Sequence, residues 1–85
     1  MHVEATDTFR RLYKKLPLEM QGRVKKTLRL LADTPTHPSL RHRKMAGQEN
    51  LFEVSVTMQY RITYEKVGDV AYLRKVGTHD LLQHR

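Results

Sequence analysis

The chain has 85 residues, enough for one domain over residues 1–85, and a chain of that size buries only about 60–65% of the surface its unfolded form exposes, so its core must be thin. It contains no cysteine, which excludes disulfides, thiolate metal sites and a cysteine nucleophile. Sixteen Lys and Arg against nine Asp and Glu give a formal charge of +7, which favours polyanionic partners such as nucleic acid or an acidic protein segment. No run approaches the roughly 18–20 apolar residues that span a bilayer, and Met1 to Ala5 lack an apolar signal core. The expectation is a cytoplasmic protein without a membrane partner.

Taken in chain order, Met1, Val3 and Ala5 alternate with His2 and Glu4, which predicts a short first strand. Thr6 or Asp7 can cap a helix by accepting free N–H groups of its first turn. Phe9, Leu12, Tyr13 and Leu16 then recur at i, i+3, i+4 and i+7, with Arg10, Arg11, Lys14 and Lys15 off the stripe. Pro17 ends this helix and suits the opening of another, whose stripe is Met20, Val24, Leu28 and Leu31. Asp33-Thr34-Pro35 ends the second helix, and Thr34 to Gly47 reads as a loop. The period then changes to two. Phe52, Val54 and Val56 alternate with Leu51, Glu53 and Ser55, and after a turn at Thr57-Met58-Gln59, Tyr60, Ile62 and Tyr64 alternate with Arg61, Thr63 and Glu65. Gly68-Asp69 marks a second turn before a strand from Val70 to Val76.

These elements predict an α+β fold in the order β-α-α-β-β-β, with two N-terminal helices packed on a small antiparallel sheet. The helices would cover Phe52, Val54, Val56, Ile62 and Tyr64, leaving Glu53, Ser55, Arg61 and Thr63 on an open, polar face. In the last strand the facing stays ambiguous: Ala71 and Leu73 share one side by parity, Val70, Tyr72 and Val76 the other.

Three basic clusters could neutralise phosphates: Arg41-His42-Arg43-Lys44, the polar side of the first helix, and Arg74-Lys75. The helix cluster is also what any solvated amphipathic helix shows. Arg61 sits in an apolar alternation, where a permanently charged, planar guanidinium on a rigid strand suits a pentavalent phosphate. A cross-strand ion pair with Glu53 or Glu65 is an equal alternative. His79 can move a proton near neutral pH, with Asp80 as its orienting partner or as a cap of a terminal turn. The spacing of His37, His42, His79 and His84 matches no ligand motif and no carboxylate cluster accompanies it, so neither a metal nor another cofactor is expected.

His37-Pro38-Ser39-Leu40, Lys44-Met45-Ala46-Gly47, Phe52-Glu53-Val54, Tyr60-Arg61-Ile62-Thr63-Tyr64 and Leu73-Arg74-Lys75-Val76-Gly77-Thr78-His79-Asp80 stand in the order of the RelE/ParE superfamily of bacterial toxins, which the chain resembles over nearly its whole length. The resemblance implies an open sheet face used as the working surface and a cognate antitoxin that silences it. RelE-like members cut mRNA on the ribosome without a metal, whereas ParE-like members inhibit DNA gyrase. On the RelE-like pattern Arg61 and His79 would be catalytic, and Arg41, Arg43, Lys44, Arg74 and Lys75 would hold RNA. Ser55, Asp80 and His84 are supporting candidates; many RNA-cleaving relatives carry Arg where this chain has Ser55, and many end in a catalytic Tyr or a longer C-terminal segment. An endoribonuclease is therefore the first expectation, with a gyrase inhibitor or an interaction-only relative as alternatives.

Overall fold

A computed structural model of the protein describes residues 1–78. Strand β1 (His2–Ala5) leads into helices α1 (Asp7–Lys14) and α2 (Leu18–Asp33). A 3-10 turn at Pro38–Leu40 precedes β2 (Arg43–Lys44), β3 (Leu51–Ser55), β4 (Tyr60–Val67) and β5 (Val70–Thr78). The sheet order is β1-β5-β4-β3-β2. Strands β3, β4 and β5 form the expected antiparallel meander, while β1 lies parallel to β5 and makes the sheet mixed. The chain between β1 and β5 runs through the αα-hairpin and strands β2 to β4, a long crossover such as parallel strands need. Strand β2 was not expected: two charged residues show no alternation, and only their pairing with Phe52 and Glu53 makes them a strand.

Local chemistry explains the helix boundaries. Thr6 caps α1: its Oγ1 accepts from the Phe9 N–H at 3.2 Å and its hydroxyl donates to the Leu73 carbonyl at 2.7 Å, so the same side chain starts the helix and ties it to β5. Pro17, at φ −55° and ψ 148°, stands directly before α2. The Gln21 side-chain amide reaches back to the Leu16 carbonyl at 3.1 Å, satisfying an acceptor that the end of α1 leaves open. Phe9, Val24 and Leu31 pack from the helices onto Val54, Ile62, Tyr64, Leu73 and Val76 of the sheet. Thr27 is also buried on α2, where the stripe called for no polar residue; its hydroxyl donates to the Arg23 carbonyl one turn back at 3.0 Å.

A β-bulge resolves the ambiguity of the last strand. Thr63 pairs with Lys75 but Tyr64 pairs with Leu73, so Arg74 is an extra residue in the ladder. Leu73 and Val76 are both buried in the core although they lie three apart, and strict parity would have put them on opposite faces. The open face also departs from expectation. Glu53 and Thr63 are only 2% and 5% exposed, because they occupy the middle of the sheet and the Arg43 and Arg61 guanidiniums are drawn onto the Glu53 carboxylate.

Candidate nucleic-acid interface

Strand pairing lines up side chains across the sheet. Arg43, Glu53, Thr63 and Lys75 are successive partners on β2, β3, β4 and β5. Ser55, Arg61 and Gly77 form the next row on the same face, because residues two apart on a strand point the same way. The face away from the helices thus carries Arg43, Arg61 and Lys75 around one buried carboxylate.

Arg61 is held from several sides. Its Nη1 donates to Ser55 Oγ at 2.8 Å and its Nη2 to the Met58 carbonyl at 3.3 Å. The same Nη1 lies 3.7 Å from Glu53 Oε1, and Arg43 Nη2 approaches that oxygen at 3.5 Å. The Arg61 side chain is 25% exposed and Glu53 3% exposed, so the pair is screened by solvent only on the Arg side. Glu53 Oε2 and Arg61 Nε are buried without a hydrogen-bond partner among the described residues. The ion-pair alternative for Arg61 is thus realised with Glu53. Glu65 instead meets Arg74 at 3.4 Å, a half-exposed pair worth about 0–1 kcal/mol.

The remaining basic residues divide by position. Arg43 and Lys44 lie exposed on β2, and Arg41 is exposed where the chain leaves the 3-10 turn. Lys75 is half-buried beside Thr63 and makes no ion pair among the described residues. His42 does not join this cluster. Its ring meets Phe52 and Tyr64 edge-on, with centroids 5.9 and 5.5 Å away. Its Nδ1 donates to the Pro35 carbonyl at 2.9 Å, which leaves Nε2 to accept from the Tyr64 hydroxyl. Burial pushes the Tyr64 phenol up to about 12, keeping it a neutral donor. His42 therefore pins the loop after α2 to the core. A histidine four residues past Pro38 and a tyrosine on a strand gave no sequence signal for that contact.

His79, Asp80 and His84 lie outside the described residues. The described chain ends at Thr78, which pairs with Tyr60, one position beyond the Arg61–Gly77 pair. The face as described can bind and orient an anion through guanidiniums and an ammonium. Glu53 falls among the open polar residues by alternation, and its place as a cross-strand ion-pair alternative for Arg61 was the available signal of its burial.

No protein-family model and no curated protein matches the sequence. Solved structures do match in fold. The RelB-RelE antitoxin-toxin complex from Methanococcus jannaschii matches with a TM-score of 0.78 and 21% identity, covering 93% of each chain. The E. coli DinJ-YafQ toxin-antitoxin complex matches at 0.80 and 15% identity, over 95% of this chain and 94% of that one. The YoeB/ParE toxin from Agrobacterium tumefaciens matches at 0.75 and 15% identity, over 93% of this chain and 99% of that one. With two helices on one face of a five-stranded mixed sheet and this strand order, the chain has the RelE-like toxin fold.

Proposed function

We propose that this protein is the toxin of a toxin–antitoxin pair, acting in the cytoplasm, and that its open sheet face binds messenger RNA on the ribosome and cuts it without a metal. The observation that supports this most is Arg61. It is fixed on a central strand by Ser55 and the Met58 carbonyl, on a face that also carries Arg43 and Lys75. In such a cut the RNA 2′-oxygen attacks the adjacent phosphorus, the bond to the 5′-oxygen breaks, and a 2′,3′-cyclic phosphate remains. One proton leaves the 2′-hydroxyl and one reaches the departing 5′-oxygen. Arg61 would neutralise the charge that builds on the non-bridging oxygens. His79 would move a proton, and Arg41, Arg43, Lys44, Arg74 and Lys75 would hold the strand. The antitoxin part of the proposal draws on the fold neighbours, since RelE and YafQ are both seen bound to antitoxins, RelB and DinJ.

Purified ribosomes carrying a programmed message test the proposal. The wild type should cut the message, and Arg61→Ala should slow cleavage on the order of 10²-fold, the usual loss when a charge-stabilising donor is removed. His79→Ala should slow it as well. An intact message at high toxin excess would overturn the nuclease reading; inhibition of gyrase supercoiling in the same preparation would point to the gyrase alternative instead.

A further inference from the structure

We infer that Glu53 is a positioning residue of this anion site: its buried carboxylate sets the orientation and net charge of Arg61 and Arg43 without touching RNA itself. The inference rests on the reading of this face as an RNA-cleaving surface. Glu53 lies at the centre of the row from Arg43 to Lys75, with only 3% of its side chain exposed. A carboxylate buried there is costly unless cations answer it, and two guanidiniums share its Oε1 at 3.5 and 3.7 Å. Those separations are long for charge-assisted hydrogen bonds, which run nearer about 2.7–2.9 Å. Arg43, 59% exposed, is therefore tethered by charge while its N–H groups stay available to a phosphate; Arg61, with Nη1 on Ser55, Nη2 on the Met58 carbonyl and Nε buried, offers its remaining Nη hydrogens. Ser55, at 2.8 Å from Arg61, supplies the tight contact. The two guanidiniums around the one carboxylate leave a net charge of +1 at Glu53 itself, and the Lys75 ammonium in the same row adds to it. Without the carboxylate, Arg43 and Arg61 would repel each other and swing apart.

Glu53→Gln separates charge from shape. The amide oxygen can replace Oε1, and the NH2 takes the place of Oε2, which has no partner among the described residues. Two effects of opposite sign are expected. Affinity for RNA rises, since the cations no longer share their charge with a carboxylate. Turnover falls, since Arg61 keeps its Ser55 and Met58 bonds but loses the charge that draws Nη1 toward Glu53 and so part of its aim at the reacting phosphate.

Binding is read with a short single-stranded RNA made uncleavable by a 2′-deoxy sugar at the cut position, and turnover with programmed ribosomes. Glu53→Gln should bind the oligonucleotide about five-fold tighter, the weight of one unit charge at about 4 Å in high dielectric. Its turnover should fall on the order of ten-fold or more. Glu53→Asp, which keeps the charge at shorter reach, should return affinity to the wild-type value with partial turnover. In parallel, the Arg61 Nε–H signal in NMR should become more mobile in Glu53→Gln than in the wild type, with no RNA present. Unchanged affinity and turnover, or losses that merely follow the loss of folded protein in both variants, would overturn the inference. A wild type that neither binds nor cuts RNA while the Arg61 signal still responds to Glu53→Gln would sink the nuclease reading and leave the positioning role standing.

Discussion

Arg41 has left-handed backbone at φ 47° and ψ 50°, closing the 3-10 turn through its N–H to the Pro38 carbonyl at 3.1 Å. A side chain in that region costs about 1–2 kcal/mol relative to right-handed backbone, and glycine escapes the penalty. Strain of this kind clusters at functional sites, and here the side chain is an exposed cation beside the candidate interface. Two substitutions separate backbone from charge. Arg41→Ala and Arg41→Gly both remove the cation and should weaken RNA binding equally. Arg41→Gly should nonetheless be the more stable of the two by about 0.5–1 kcal/mol in urea denaturation, because glycine alone relieves the strain. Equal midpoints for the two variants would show that the turn holds no strain.

At the scale of elements, the contact of Tyr64 with His42 couples strand β4 to the loop that follows α2. Phe52 stacks on Tyr64 with ring centroids 5.5 Å apart, and Tyr64 is only 1% exposed. Because the folded-state phenol is raised from 10.0 to about 12, folding favours its neutral form. The sign follows directly: the contribution is fully present below pH 10, and it is lost as pH rises through about 12, since only the unfolded chain ionises the phenol in between. Stability should therefore fall across that window by at most about 2–3 kcal/mol from this group. Tyr64→Phe should flatten that alkaline slope. It should also cost about 1 kcal/mol at neutral pH by leaving His42 without its donor. Denaturant midpoints measured from pH 7 to 12 on both proteins check this, and an unchanged slope in Tyr64→Phe would refute the assignment.

For the whole molecule, the two sides of the sheet differ in chemistry. The open face concentrates cations, while the helical side carries an apolar groove of about 270 Å³ floored by Phe9, Tyr13, Leu28 and Leu73, with Arg10, Lys14 and Lys25 at its rim. A thin core leaves such apolar area uncovered. On the proposed toxin–antitoxin reading, a partner helix with apolar residues on one stripe and acidic residues beside it would fit that groove. Exposed ion pairs add only about 0–1 kcal/mol each, so most of the affinity should come from apolar burial and survive salt. Titrating the cognate antitoxin across a salt series checks this: binding that collapses at moderate salt would rule out the groove as the main contact. Among the described residues no helix is long and apolar enough to cross a membrane.

Periodicity and the helix-breaking residues determined the first strand, the two helices and the three-strand meander, and their order. The spacing of Phe9, Leu12, Tyr13 and Leu16, and the alternation through Phe52–Val56 and Tyr60–Tyr64, are local consequences of 3.6- and 2-residue repeats, and the structure follows both. Arg61 was legible as a strand residue aimed away from the core for the same reason. What needed the tertiary structure was everything set by non-local pairing. The parallel seat of β1 beside β5 and the two-residue strand β2 depend on partners tens of residues away. The bulge at Arg74 appears only when β4 is laid against β5, and it alone brings Val76 into the core beside Leu73. Glu53 and His42 look like ordinary polar residues along the chain. Only the packed sheet, by placing Arg43 and Arg61 on one and Tyr64 on the other, turns them into a buried charge centre and a loop anchor, because burial and hydrogen bonding are properties of neighbours in space rather than in sequence.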